Sequence, residues 1–171
     1  MSRSSRRDSG FSVFRIGLFA ALIGALFLIG GFILVAFEQQ TQRQPLEVSL
    51  PANAQLADQQ ELGNASRVTY YFVPNTTAED VANFYNGEMS NFYGADAGAE
   101  RCRRFPSSGN LEAYVPGDGS LPYVFRCLFD TSGFQGDRFT EVEIQPGVRI
   151  DSDGINNEGS VVLKYTYQWQ P

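Results

Sequence analysis

An α+β domain carried behind a single N-terminal transmembrane helix is predicted by three features of the sequence. Residues 16–37 run without one charged or strongly polar side chain. Behind them, one segment repeats its apolar residues at spacings of three and four, whereas several others repeat theirs at two. The part that follows also holds eight Phe, eight Tyr and the single Trp169, enough large side chains to fill one core in a domain of ordinary size.

The first element is the apolar run. As a helix it would rise about 33 Å, against roughly 30 Å for a hydrocarbon core. A secretory leader has a shorter apolar region and ends at a small-x-small site, whereas this run closes on Val35-Ala-Phe-Glu38. The pattern Ala52-Asn-Ala54 lies too far downstream for processing, and no cysteine near the run offers a lipid attachment point. The expectation is an uncleaved anchor in contact with the lipid bilayer. Arg3, Arg6, Arg7 and Arg15 precede it and only Arg43 follows closely, which predicts residues 1–15 in the cytoplasm and the rest outside the cytoplasmic membrane. Gly17, Ala20, Ala21, Gly24 and Ala25 would let two such helices approach, but these residues are common in any membrane helix, so homo-oligomerisation is left open.

Residues 38–45 are polar and end at Pro45, which reads as a short stalk, and the folded domain is expected over residues 46–171. Residues 67–73 are β-branched and aromatic and are stopped by Pro74-Asn75, a strand signature. A helix over residues 78–92 follows. Thr76 or Thr77 can cap it, Glu79 and Asp80 sit in its first turn, and Val81, Phe84, Tyr85, Met89 and Phe92 form one stripe broken only by Glu88. Gly94 ends it.

Downstream the period becomes two. Residues 121–129 place Leu, Tyr, Phe, Cys and Phe at odd positions, so Cys127 should face the core beside aromatics. Residues 161–169 alternate likewise, with Lys164, Thr166 and Gln168 on the other side. Residues 139–145 form another strand, and residues 98–105 and 111–115 supply one or two more. The prediction is an antiparallel sheet of about 5–6 strands, covered on one face by one main helix.

The run Tyr70-Tyr-Phe-Val-Pro-Asn-Thr-Thr-Ala-Glu-Asp-Val-Ala-Asn-Phe-Tyr85 resembles a pattern of uncharacterised exported bacterial lipoproteins and membrane-anchored ectodomain proteins: a strand, a Thr-capped turn, then Glu/Asp-Val and Phe-Tyr on a helix. The resemblance covers about a quarter of the exported part. It implies a bacterial cell-envelope protein and brings no activity with it.

Residues 38–171 carry nine basic and eighteen acidic residues, a net charge of −9. An acidic surface of that size repels nucleic acid, which is not expected as a partner. Cys102 and Cys127 are the only cysteines, and an even count on the oxidising side of a membrane predicts a disulfide between them.

The chain has no histidine, which removes Ser-His-Asp and Cys-His catalysis and the common zinc sites. Lys164, the only lysine, lies in a strand with Ser160 as its nearest serine, and reads as a solvated strand residue rather than half of a Ser-Lys dyad. Pro116-Gly-Asp-Gly-Ser120 has turn composition without a following helix, so it is not a phosphate loop. Residues 151–159 hold Asp151, Asp153, Asn156, Asn157 and Glu158 with Gly154. These oxygens could surround Ca²⁺, but the spacing departs from a calcium loop and is that of a polar hairpin loop between strands. Arg101, Arg103 and Arg104 form a basic cluster suited to binding an anion or to pairing with neighbouring carboxylates. Carboxylates of the kind a glycosidase uses, such as Glu141 and Glu143, lie two apart on one strand face, but that spacing is common on any exposed strand and nothing indicates a cleft.

No required cofactor is predicted. The expectation is a non-catalytic binding or accessory module with an envelope protein as partner; the alternatives are a carboxylate-based envelope hydrolase and a calcium-dependent adhesion or sensor module.

Overall fold

A backbone flanked on all sides by apolar side chains can satisfy its polar groups only internally in lipid, and the first element is a single helix, α1, over Gly10–Gln42. The computed structural model describes residues 10–94, 101–107, 115, 117, 121–133, 136–151 and 154–171. The chain divides into two units, residues 1–41 and 42–171, each considered by itself. In the first, residues 16–42 have a mean hydropathy of 2.7 over the most apolar window, none of it buried, which is long and apolar enough to cross a membrane. The helix continues past Phe37, so the stalk expected over residues 38–45 is helical as far as Gln42. It stops short of Pro45, whose ring disfavours helical geometry in the residue before it.

Among the described residues of the second unit, six strands form one antiparallel sheet. They are β1 (Gln55–Glu61), β2 (Ser66–Pro74), β3 (Arg103–Phe105), β4 (Val124–Asp130), β5 (Phe139–Pro146) and β8 (Ser160–Gln168), in the order β1-β2-β8-β5-β4-β3. Between β5 and β8 a separate hairpin pairs β6 (Arg149–Ile150) with β7 (Ile155–Asn156). The strand expected over residues 98–105 is confined to β3 among the described residues, and residues 111–114 lie outside them. The sequence reading missed β1. Its residues are all exposed and mostly polar, so no alternation marks it; only backbone pairing with β2 makes it a strand.

Register assigns the faces. Thr69, Leu163 and Val142 share a face with Tyr165, Ile144 and Cys127, and these residues are buried. Helix α2 (Ala78–Tyr93) packs there through Val81, Ala82, Tyr85 and Met89, its stripe falling at the predicted spacing. Thr77 caps it: the Asp80 N–H donates to Thr77 Oγ1 at 3.1 Å, and Thr77 Oγ1 donates to Asp80 Oδ2 at 2.7 Å. Residues 44–54 complete the cover. The Thr140 hydroxyl donates to the Leu46 carbonyl, the Tyr165 hydroxyl to Ser49 O at 3.2 Å, and Arg138 Nε to Gln44 O at 3.0 Å. At the centre the Tyr85 and Tyr165 hydroxyls bond to each other, with Tyr71 edge-on to Tyr165.

The hairpin leaves β5 through Gly147, whose N–H donates to Ser160 O at 2.8 Å. A Cβ at this position would run into the backbone carbonyls of Asn157 and Ser160, which cannot swing aside as a side-chain end can. Gly147→Ala should therefore cost about 2–3 kcal/mol and lower the melting temperature by several degrees. An unchanged melting curve would show that the crossing is looser than drawn.

Candidate functional site

Helix α2 packs on one face of the sheet, and among the described elements of this unit no second helix packs on the other. At its β3 corner Arg103 and Phe105 project with Arg126 and Leu128 of β4, because β3 and β4 pair antiparallel with Arg103 directly across from Arg126. Together with Arg101, Met89 and Glu141 they line an open groove of about 420 Å³. Phe105 and Leu128, on the same face, are 47% and 43% exposed. The Arg126 guanidinium lies 5.6 Å from the Phe105 ring centre.

The disulfide positions this corner. Cys102 and Cys127 are bridged, and their places lie directly across the β3–β4 pair, one step beyond Arg103 and Arg126. The Cys102 N–H donates to Asn86 Oδ1 of α2 at 2.9 Å, and Cys102 Sγ rests 3.9 Å from Met89 Sδ. With the thiol oxidised, that sulfur contact is packing alone. Tyr93 holds the other end of the helix to β4. Its hydroxyl donates to Leu128 O and accepts from the Asp130 N–H, each at 2.9 Å.

Of the three arginines singled out in the sequence, Arg101 and Arg103 reach the groove and Arg104 does not. Strand alternation turns Arg104 to the packed face, where its guanidinium lies 4.1 Å over the Tyr123 ring. Burial first, and then the Glu79 carboxylate, push the Tyr123 phenol up to about 12, with Arg104 acting in the opposite direction. Arg126 takes the third place in the basic cluster. The signal for it was present: a cross-strand disulfide at 102 and 127 implies that 103 faces 126, and alternation in 121–129 turns Arg126 outward.

Glu141 and Glu143 stand side by side on the same open face, and one guanidinium engages both. Arg126 Nε is 3.2 Å from Glu143 and 3.9 Å from Glu141, and Gln145 also donates to Glu143. They form a charge cluster with Arg126.

The proposed calcium oxygens lie on the β6–β7 hairpin. Asp151 is paired with Arg149 at 2.9 Å, and Asn156 Oδ1 accepts the Glu158 N–H at 3.1 Å, so two of the five oxygen sources have protein partners close by in the chain. Asp153 lies outside the described residues. Among the described residues no three His, Cys, Asp or Glu side chains gather as a metal site would require.

Compared with models of known protein families, with curated proteins and with solved structures, the chain matches none.

Proposed function

We propose that the protein is a single-pass, membrane-anchored ectodomain of the bacterial cell envelope that acts by binding rather than by catalysis, its N-terminus in the cytoplasm and residues 46–171 outside. The observation that carries this reading is the asymmetry of the sheet. One face is filled by α2 and residues 44–54, whereas the other presents arginines, carboxylates and exposed apolar side chains at a groove. Side chains presented in this way suit contact with a partner. The disulfide supports an oxidising compartment, and the four arginines ahead of the apolar run at residues 16–37 support the orientation.

Protease added outside spheroplasts should digest residues 46–171 and leave the apolar helix in the membrane. A domain that resists protease until the membrane is permeabilised would reverse the orientation.

A further inference from the structure

We infer that the β3–β4 groove binds an organic anion: a carboxylate or phosphate taken by Arg101 and Arg103, carried on an apolar body lying over Phe105 and Leu128. This rests on the reading of the domain as a binding module, and supplies the site and the ligand class.

Three observations converge on it. The first is a stability cost left in place. Arg103 and Arg126 face each other directly in an antiparallel pair, and like charges so placed repel. Glu143 and Glu141 neutralise Arg126, but among the described residues neither Arg101 nor Arg103 is within ion-pair reach of a carboxylate. Two guanidinium groups therefore remain to receive an anion from outside, and a guanidinium fork matches the two oxygens of a carboxylate or phosphate.

The second is the charge contrast. Residues 38–171 carry a net −9, yet three of their nine basic residues line one groove. The acidic surroundings disfavour a polyanion such as nucleic acid, which would have to lie across them, and leave room for a small anion that meets only the groove. The third is the wall. Phe105 and Leu128 are nearly half exposed beside the guanidinium groups, and a groove of about 420 Å³ is of small-molecule size. An inorganic anion would leave that apolar wall wet.

The test is calorimetric titration of the full chain in nanodiscs of zwitterionic lipid, with phenylbutyrate as the probe and phenylbutylamine, its cationic counterpart, as the control. Phenylbutyrate should bind, with the amine and inorganic phosphate each at least about tenfold weaker. Arg101→Gln and Arg103→Gln should each weaken the acid by about tenfold, while Arg104→Gln, on the packed face, should leave its affinity unchanged. Without ligand, Arg103→Gln should melt at the same temperature or higher, because it removes the repulsion opposite Arg126. A lower melting temperature would give Arg103 a structural partner and overturn the inference. So would equal binding of acid and amine, binding of neither, or an equal loss in folded Arg104→Gln. Repeating the titration with anionic lipid in the nanodisc separates two sources of the same chemistry: unchanged affinity supports a free acid, and competition supports a lipid headgroup in the same groove. Orientation in the membrane does not enter these measurements, so failure of the anchor reading and failure of the site are distinguishable.

Discussion

Above about pH 10 the folded unit of residues 42–171 should lose its tertiary structure over a narrow interval. Tyr85, Tyr123, Tyr165 and Tyr167 are all at most 2% exposed, and burial is the first cause that raises each phenol. In the unfolded chain these groups lose their protons near pH 10, whereas in the folded protein they keep them. The native state then holds more protons than the unfolded state. Its stability is fully present below pH 10 and falls as the pH rises, by about 1.4 kcal/mol per unit for each tyrosine, or about 5 kcal/mol per unit for four. Tyr123 leaves the sum first, at about 12. A domain with about 5–15 kcal/mol to lose should be unfolded within roughly one to three units above pH 10. Near-ultraviolet circular dichroism and tyrosinate absorbance, followed together on the full chain in non-ionic detergent, should show these four phenols ionising only as the tertiary signal disappears. Tyr85→Phe should make the stability slope shallower by about one group's share. Complete tyrosine ionisation with the tertiary signal intact would show that the cluster is open to solvent.

Replacing both Cys102 and Cys127 by alanine should lower stability by about 3–4 kcal/mol, which for a domain of this size moves the melting temperature by roughly 10 °C. The bridge closes a separation of 25 residues, so opening it frees a long loop in the unfolded chain. It also holds an edge strand that is only three residues long. Without the bridge, β3 is left with its few bonds to β4 and the Cys102 N–H bond to Asn86. Hydrogen exchange should accordingly accelerate first at Arg103–Phe105, while the central strands β8 and β5 stay protected. An unchanged melting temperature, or uniform acceleration across the sheet, would show that the disulfide is not what secures this edge. Because Arg103 and Phe105 belong to that strand, the same variant should blunt the groove without altering any residue in its lining.

Much of the architecture was legible because each element carries its own period. The cap at Thr77, the stripe Val81-Tyr85-Met89 and the alternation in β4, β5 and β8 report which side of an element meets a core, whatever that core contains. The apolar run of α1 and the bridge between the only two cysteines follow equally from local composition and cysteine count. What those patterns cannot carry is the choice of neighbour. The pairing of β2 with β8, from strands some ninety residues apart, places β8 at the centre, and it was settled by the mutual fit of Thr69, Leu163, Tyr165 and Val142 beneath α2. β1 has no buried residue to announce it and exists because β2 offers a free row of backbone groups. Arg104 and Arg126 exchanged places in the candidate site for the same reason. Neighbouring residues in a strand point to opposite faces, so a sequence cluster is divided, and a spatial cluster is assembled across the register that tertiary pairing sets.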